Sequence, residues 1–375
     1  MTAPLPPGPP PRPGERADVA DVARYAERID VRSPSEFADD HIPGAINLPV
    51  LDDAERTRVG TLYVQGSAFE ARKLGAAIAA RNIAHMVETY ARDKPPDWRP
   101  LVYCWRGGQR SRAVALVFAE IGWRAVQLAG GYRAWRRHVS SALAQADDLP
   151  ALRVVCGLTG SGKSRLLRAL ASEGAQVLDL EHLARHRGSL LGDLPGEPQP
   201  SQKWFESQLY AALRAFDRAQ PVYIESESKR IGTIQLPDPL LGAMRTAPCV
   251  RLEASLDLRV ALLLEEYAHF LADDPALSER LAHLAPLHGR AAVARWSDAA
   301  ARGDFDTLVR ELLEAHYDPL YLRSIERNFP RHAEGVVAPV HALGDEAFRA
   351  LARRIVATEP SCCAGAQVPD SVSLP

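Results

Sequence analysis

A glycine-rich loop between an apolar run and a helix-like segment is the feature that most constrains this chain. Residues 157–164 (GLTGSGKS) fit the phosphate-loop pattern G-x-x-x-x-G-K-[ST] and follow the apolar residues 152–156. Such a loop turns successive backbone N–H groups towards phosphate oxygens. The predicted phosphate-binding residues are Gly157, Gly160, Gly162, Lys163 and Ser164. Lys163 adds a positive charge, and the Ser164 hydroxyl is a candidate ligand for Mg²⁺, so we expect a parallel α/β domain around a phosphate site.

Two acidic residues end the apolar strands predicted next in this domain. Asp179 is the last residue of the strand predicted at 176–179, and Glu225 is the last residue of the strand predicted at 222–225. Both are candidates to hold a metal ion or a water molecule, because carboxylate oxygens are the ligands that Mg²⁺ prefers. The alternative is that each is a solvated carboxylate at a strand end. The chain has no N-K-x-D run to specify guanine, which argues against a GTPase.

A second candidate anion site lies closer to the amino terminus. The apolar strand predicted at residues 101–103 ends at Cys104, and the tight loop that follows contains Arg106 and Arg110. The N–H groups at the start of the next helix and the two arginines would favour the thiolate and bind a phosphate or chalcogen anion. Cys104, Arg106 and Arg110 are therefore the predicted catalytic residues. The alternative is a buried packing cysteine, which would not need this loop.

Composition predicts a globular protein with flexible ends. Residues 1–16 are too rich in proline to pack, and residues 358–375 are similarly unstructured in pattern. We expect a parallel-sheet domain at 17–143, a linker at 144–150, and a phosphate-loop domain at 151–357. Periodic apolar residues from about 256 onwards predict that the last part of this domain is helical.

Charge and cysteine content narrow the class of protein. The net charge of -2 argues against a chain that coats nucleic acid non-specifically. No apolar run reaches the roughly 18 residues that span a bilayer, and no secretory signal is present, so we expect a cytoplasmic protein without a membrane partner. The five cysteines lack C-x-x-C spacing, which is typical of reduced thiols rather than a zinc site.

Residues 17–140 resemble the rhodanese domain in four segments: 30–37, 41–49, the Cys104 loop and 130–135. In rhodanese-like sulfurtransferases the equivalent cysteine carries a persulfide. Five residues separate Cys104 from Arg110, where those enzymes usually have four, and the longer loop is similar to that of related cysteine phosphatases. The first domain alone therefore leaves sulfur transfer and phosphate-ester hydrolysis open.

The fusion of this domain to the phosphate loop, with residues 179–189 and 224–232, resembles the tRNA 2-selenouridine synthase family, whose Cys104-type loop has the same spacing. The resemblance implies an α/β fold with a rhodanese-like domain, then a P-loop NTPase-like domain with a helical carboxyl region. It also implies conversion of the 2-thiouridine at the tRNA wobble position to 2-selenouridine, with selenophosphate and geranyl diphosphate as co-substrates. Mg²⁺ is a further candidate, no tightly bound cofactor is expected, and a selenophosphate-producing enzyme is a candidate partner.

Within this resemblance, we expect Lys163 and its loop to hold geranyl diphosphate, with ATP as the alternative, and the Cys104 loop to handle the selenium donor. A tRNA anticodon also needs basic and aromatic contacts. The candidates for these contacts are Trp105, Arg133, Arg136, Arg137, Arg185, Arg187, Lys229 and Arg230. The alternative for each basic cluster is a solvated helix face.

Two other kinds of protein compete with this interpretation. One is a small-molecule kinase fused to a sulfurtransferase or cysteine-phosphatase-like domain, which would phosphorylate its substrate without tRNA. The other is a nucleotide-gated sensor with an idle rhodanese fold, which predicts a degraded cysteine loop. Both loops are intact in this sequence, and sites rather than folds carry function.

Overall fold

A computed structural model describes residues 16–145, 149–189, 192–194, 196–267 and 274–358, with side chains from 277 in the last range. The predicted tails, apart from Arg16 and Thr358, lie outside these described residues, as does 146–148 of the predicted linker. Within the described ranges, no helix combines the length and apolar character needed to cross a bilayer.

The helices and strands alternate along most of the chain. The strands are β1 (Arg16–Ala17), β2 (Arg28–Asp30), β3 (Ala45–Asn47), β4 (Leu101–Tyr103), β5 (Val126–Leu128), β6 (Leu152–Cys156), β7 (Gln176–Leu178), β8 (Val222–Glu225), β9 (Arg230–Ile231), β10 (Ile234–Gln235), β11 (Cys249–Ala254) and β12 (Val336–Val340). The α-helices are α1 (Pro34–Asp39), α2 (Asp53–Gln65), α3 (Ala68–Thr89), α4 (Gln109–Ile121), α5 (Gly131–Leu143), α6 (Lys163–Ser172), α7 (Leu180–Ala184), α8 (Gln202–Ala215), α9 (Asp238–Thr246), α10 (Leu256–Glu266), α11 (Asp274–Ala282), α12 (Ala285–Ala301), α13 (Phe305–Leu312), α14 (Asp318–Asn328) and α15 (Asp345–Thr358).

The chain divides into two compact units, and the first contains the rhodanese-like region. Its five-stranded sheet has the order β1-β5-β4-β2-β3, and every pair of neighbours is parallel. Val102 of β4 and Phe118 of α4 are fully buried in its core. Because the strands are parallel, their carboxyl ends meet at one edge of the sheet, and Cys104 follows β4 at this edge.

The helix α8 belongs to the first unit, which comprises the chain up to residue 145 together with residues 200–215. The Trp135 indole nitrogen lies 3.3 Å from Ser207 Oγ, and His138 Nε2 lies 2.7 Å from the Tyr210 hydroxyl. Sequence analysis placed residues 200–215 in the phosphate-loop domain. In the structure, α8 packs on α5 instead, through contacts that include the buried Ser207 and the half-buried Tyr210.

The second unit is built on a parallel sheet of order β12-β11-β6-β8-β7. The central strand β6 leads into the phosphate loop, and α6 packs its apolar face, including Leu166 and Leu170, against the sheet. The predicted strands 101–103, 152–156 and 222–225 are confirmed to the residue, as is the predicted α/β class.

A helical region follows β11, as the periodicity predicted. The helices α11, α12 and α13 enclose their own apolar cluster around Trp296, which is 1% exposed. A single π-helical turn, Leu313–Tyr317, joins α13 to α14. Such turns are rare and often lie at functional sites.

Candidate active site

The Cys104 loop is a compact turn between β4 and α4. The Sγ atom of Cys104 accepts hydrogen bonds from the Gly108 N–H at 3.3 Å and from the Ser111 hydroxyl at 3.2 Å. The residue is only 2% exposed and also contacts the apolar core of the unit. Cys104 is therefore buried, as expected for a cysteine that serves only packing. Its sulfur also faces two hydrogen-bond donors, as expected for an anionic sulfur.

Glycines let the start of α5 lie against this loop. Gly107 and Gly131 have φ angles of +63° and +58°, which L residues rarely adopt. A Cβ at Gly131 would overlap the carbonyl oxygen of Cys104. The backbone N–H of Tyr132 donates to that oxygen at 2.9 Å. The segment 130–132 thus holds the loop backbone in place.

The two loop arginines differ in their surroundings. Arg110 Nη1 donates to Glu36 Oε2 at 2.8 Å, and both side chains are mostly buried. Burial alone would raise the pKa of Glu36, but the hydrogen bond and charge of Arg110 outweigh it and lower that pKa. Arg106 is exposed. Glu36 therefore fixes the direction of one loop cation, while the other is open to solvent.

The phosphate loop has the expected position between β6 and α6. Gly160 and Gly162 have φ angles of +79° and +89°, and a Cβ on Gly162 would lie 2.5 Å from the Phe348 ring. Lys163 Nζ donates to the carbonyl oxygen of Gly157 at 3.0 Å. These glycines are required by the backbone shape, so the motif forms the glycine-dependent turn between strand and helix that a phosphate loop needs.

Residues far along the chain support this loop from outside. The Gly157 N–H donates to the Tyr321 hydroxyl at 2.8 Å, and Lys163 Nζ lies 5.4 Å from the centre of the same ring. Arg259 donates to the carbonyl oxygen of Thr159 at 2.8 Å and is held by both carboxylate oxygens of Asp318. The helices α10 and α14 therefore shape the loop, which sequence analysis did not identify.

The acidic residues near the loop form a connected group. The Ser164 hydroxyl donates to Glu181 Oε2 at 2.9 Å, and the Glu181 N–H donates to Glu225 Oε1 at 2.7 Å. Asp179 lines a cavity in front of the loop, together with Ser164 and Glu181, and its carboxylate accepts from the His182 N–H at 2.8 Å, which caps α7. Two predicted metal or water candidates thus lie beside the loop, together with Glu181, which the sequence did not single out.

Burial dominates the electrostatics of these carboxyls. It raises the pKa of Glu225 well above its usual range, and the negative charges of Asp179, Glu181 and Glu227 add to the rise. Burial and the charge of Glu181 raise the pKa of Glu227 to about 8. Among the described residues, Glu225 Oε2 is buried without a hydrogen-bond donor. A cation or a proton would satisfy that oxygen.

Metal coordination by the protein alone is not preformed here. The described ranges contain no cluster of three or more His, Cys, Asp or Glu side chains in a metal-binding arrangement. Mg²⁺ usually keeps waters and shares one or two protein ligands with substrate phosphates. Ser164, Glu181 and the orphaned oxygen of Glu225 fit that incomplete kind of site.

A cavity of about 860 Å³ opens in front of the phosphate loop. Its walls include Lys163, Glu181, Arg187, Tyr267 and Tyr321. The cavity is large enough for a small phosphorylated ligand with room to spare. It combines cationic, acidic and aromatic walls within the second unit.

A narrow apolar cleft adjoins this cavity. The two share the wall residues Thr159, Ser189, Leu263, Tyr267 and Tyr317. The rest of the cleft is formed by Leu277, Leu308, Val309, Leu312 and Leu313. The cleft has a volume of only about 60 Å³, so it could hold part of a hydrocarbon chain, whose burial there would release water from both surfaces.

The predicted tRNA contacts fall in three kinds of environment. Trp105 is 37% exposed and its ring lies 5.2 Å from that of Tyr132, at an angle of 31°. Arg133 and Arg230 are exposed, as are Arg137 and Arg185. The others already have protein partners: Arg136 pairs with Glu206, Lys229 with Asp238 and Arg187 with the Glu266 carbonyl oxygen.

Comparison with known proteins defines first a class and then a family. The family model of the rhodanese-like domain matches residues 19–138, and that of the tRNA 2-selenouridine synthase AAA domain matches residues 150–287. With the fold and the two loops, these matches define a two-domain protein in which a rhodanese-like domain precedes a phosphate-loop domain.

Relatives named tRNA 2-selenouridine synthase align with most of the chain. The protein of Cupriavidus necator is 35% identical over 82% of this chain and 91% of its own length, and that of Bdellovibrio bacteriovorus is 31% identical over 80% and 89%. The protein of Nitrosomonas europaea is 36% identical over 64% of this chain, which spans 63% of that relative. The chain belongs to the tRNA 2-selenouridine synthase family.

Proposed function

We propose that this protein converts the 2-thiouridine at the wobble position of tRNA to 2-selenouridine in the cytoplasm, through an S-geranylated intermediate. The proposal identifies geranyl diphosphate as the ligand of the phosphate loop and selenophosphate as the selenium donor. The observation that carries it is the apolar cleft that shares walls with the phosphate-loop cavity. A diphosphate with a hydrocarbon chain would place its charge at the loop and the end of its chain in the cleft, whereas the polar groups of a purine and ribose would find few partners there.

The first step would be alkylation of the thiocarbonyl sulfur. The sulfur forms a bond to the first carbon of the geranyl group, and the carbon–oxygen bond breaks with its electron pair remaining on diphosphate. The uracil ring loses its N3 proton as the C2–N3 double bond forms. Lys163 and the loop N–H groups would stabilise the charge on the leaving diphosphate, which is greatest in the transition state.

The second step would exchange sulfur for selenium. The selenium of selenophosphate attacks C2, and the geranyl thiolate leaves with the electron pair of its C2–sulfur bond and takes a proton. Water then attacks phosphorus and breaks the phosphorus–selenium bond, which releases phosphate. Selenium keeps that electron pair and forms the double bond to C2, while N3 regains a proton. The Cys104 loop, with Arg106 and Arg110, is the anion site that we assign to this donor. A selenophosphate-producing enzyme would supply it.

Mg²⁺ would neutralise part of the diphosphate charge when bound. Ser164 and Glu181, with Glu225 behind them, are the residues that would hold it. The cationic candidates Arg133 and Arg230 remain exposed for the tRNA backbone, which is where most protein–tRNA affinity arises.

Mass spectrometry of tRNA nucleosides tests the proposal. The wild-type protein should yield S-geranyl-2-thiouridine when only geranyl diphosphate is supplied, and 2-selenouridine when selenophosphate is added. Lys163→Ala should lose geranylation but still selenate tRNA that has already been geranylated. Cys104→Ser should geranylate normally and lose selenation.

A matched control and two outcomes make the test decisive. Lys73→Ala removes an exposed lysine paired with Glu70 and should behave as the wild type. Full geranylation by Lys163→Ala, with selenation lost, would reverse the roles assigned to the two loops. Phosphorylation of a small molecule by ATP, without any change in tRNA, would support the fused kinase instead.

A further inference from the structure

We infer that Gln127 is a positioning residue that directs the hydroxyl proton of Ser111 to the sulfur of Cys104. The inference rests on the role proposed for Cys104 above. Gln127 lies in the middle of β5, is 3% exposed, and has the apolar neighbours Val126 and Leu128 in the strand. A buried polar side chain in such a strand needs hydrogen-bond partners, and the cysteine loop provides them.

The neighbours of Gln127 determine which way its side-chain amide points. Its Nε2 atom lies 2.9 Å from the carbonyl oxygen of Gly107 and 3.1 Å from that of Gly108. Carbonyl oxygens only accept hydrogen bonds, so the atom that faces them must be the donating nitrogen. The opposite orientation would bring three oxygens together in a buried site, which is unfavourable.

The same nitrogen determines where the Ser111 proton goes. It lies 2.8 Å from Ser111 Oγ, and because an amide nitrogen cannot accept, Ser111 accepts this bond and donates elsewhere. Two acceptors are in reach: Cys104 Sγ at 3.2 Å and the Gly108 carbonyl oxygen at 3.4 Å. The two hydrogens of the Gln127 amide go to its nearer acceptors, Ser111 and Gly107, and the Gly108 carbonyl oxygen already accepts from the Arg112 N–H. The sulfur is therefore the better acceptor.

The arrangement adds one oriented donor to the sulfur besides the Gly108 N–H. We call the hydrogen-bonded series Gln127, Ser111 and Cys104 the relay. A hydrogen bond donated to an anion stabilises the anion, so the relay favours the thiolate of Cys104, or a selenium-bearing anion in its place. The other charged groups around the loop are Arg106 and Arg110, with Glu36 opposite on α1. Substitution of Gln127 leaves these three residues unchanged, so its effect can be measured separately.

Thiolate titration of the full-length protein tests the relay. The ultraviolet absorbance of the thiolate is followed against pH for the wild type, Gln127→Met, Ser111→Ala, Ser111→Thr and the double variant Ser111→Ala/Gln127→Met. Each curve is corrected with a Cys104→Ser counterpart, so that only the sulfur of Cys104 remains. Leu128→Met is the matched control, since it places methionine in the same strand without removing a hydrogen bond.

We expect Gln127→Met and Ser111→Ala each to shift the appearance of the thiolate to higher pH by about one unit, the effect of losing one hydrogen bond to a charged group. Ser111→Thr keeps the hydroxyl and should restore the wild-type curve. Because Gln127 acts through Ser111, the double variant should shift no further than Ser111→Ala. Leu128→Met should match the wild type.

Two results would overturn the inference. One is a wild-type curve for Gln127→Met, and the other is an additional shift in the double variant, which would mean that Gln127 acts without Ser111. If Gln127→Met does not fold, the Ser111→Ala and Ser111→Thr pair decides, since an unshifted Ser111→Ala also contradicts the relay. The titration needs neither tRNA nor selenophosphate, so a wild type that makes no selenouridine would contradict only the proposed function.

Discussion

The hydroxyl of Ser164 lies 2.9 Å from the Oε2 atom of Glu181, which joins the phosphate loop to the second residue of α7. These two residues are among those that would hold the proposed metal ion. The contact therefore connects the motif that the sequence revealed to a carboxylate that it did not.

The first prediction concerns this pair. Glu181→Gln keeps the size of the side chain but removes its charge, so Mg²⁺ should bind more weakly. We expect the Mg²⁺ concentration for half-maximal geranylation to rise at least about tenfold. Steady-state assays across Mg²⁺ concentrations would measure it, with Glu334→Gln as an exposed control. An unchanged Mg²⁺ requirement would remove Glu181 from the metal site.

The second prediction concerns acid stability. Arg110 lowers the pKa of Glu36 in the folded protein, so their contribution to stability is present above the unfolded pKa near 4.5 and is lost as pH falls through the lower folded value. Glu36→Gln should reduce the free energy of unfolding by about 1 kcal/mol at neutral pH and by less at acidic pH. Urea unfolding of both proteins at several pH values measures this difference in unfolding free energy. A difference that stays constant with pH would show that the ionisation of Glu36 does not contribute to stability.

The third prediction concerns backbone space at the cysteine loop. Gly131→Ala combines a left-handed backbone with an overlap against the carbonyl oxygen of Cys104, so it should destabilise the protein by more than about 2 kcal/mol. Gly303→Ala has a similar φ of +71° but open space, and should cost only about 1 kcal/mol. Equal losses of unfolding free energy in the two variants would show that the overlap with the Cys104 carbonyl oxygen does not contribute to the destabilisation.

The fourth prediction separates the apolar cleft from the phosphate loop. Val309→Phe adds volume to the wall of the cleft and should raise the KM for geranyl diphosphate about tenfold, equivalent to about 1.4 kcal/mol. Inhibition by inorganic diphosphate should not change, because the loop is untouched. Val356→Phe on the exposed side of α15 is the control. A loss of diphosphate inhibition would indicate a general disturbance of the unit.

The fifth prediction concerns tRNA. Binding should weaken steeply as salt rises from about 50 to about 200 mM, because phosphate contacts release counterions. Arg230→Ala and Arg133→Ala should each lower the affinity for tRNA. Each should also reduce, by about one, the slope of the logarithm of the binding constant against the logarithm of the salt concentration. Arg295→Ala, an exposed arginine outside the candidate set, should change neither. Salt-independent binding would contradict a basic path for the tRNA.

The strands that sequence analysis located are those whose signal is local. Residues 101–103, 152–156 and 222–225 are short, nearly continuous apolar runs, which is typical of strands buried on both faces in a parallel sheet. The long helix α3 was not predicted. Its 22 residues include many alanines and polar residues, and few of them are buried, so its apolar periodicity is weak.

The same contrast applies to the candidate site. Lys163 and Ser164 were predicted because eight consecutive residues suffice to define a phosphate loop. Tyr321 reaches Gly157 across 164 positions, and Arg259 reaches Thr159 across 100. No sequence pattern within a short window can pair such distant residues, so only the folded chain shows which residues support the loop. A buried glutamine in an apolar strand was a signal for Gln127, and the sequence analysis did not use it.

By itself the sequence determined the two loops that are candidates for anion binding, their flanking strands and the order of the two domains, because each depends on residues that are neighbours in the chain. Only the tertiary structure decided which distant side chains complete the loops, that an apolar cleft adjoins the phosphate site, and that α8 packs with the first unit. An amphipathic helix shows in its sequence which face it must bury, but not which surface will bury it.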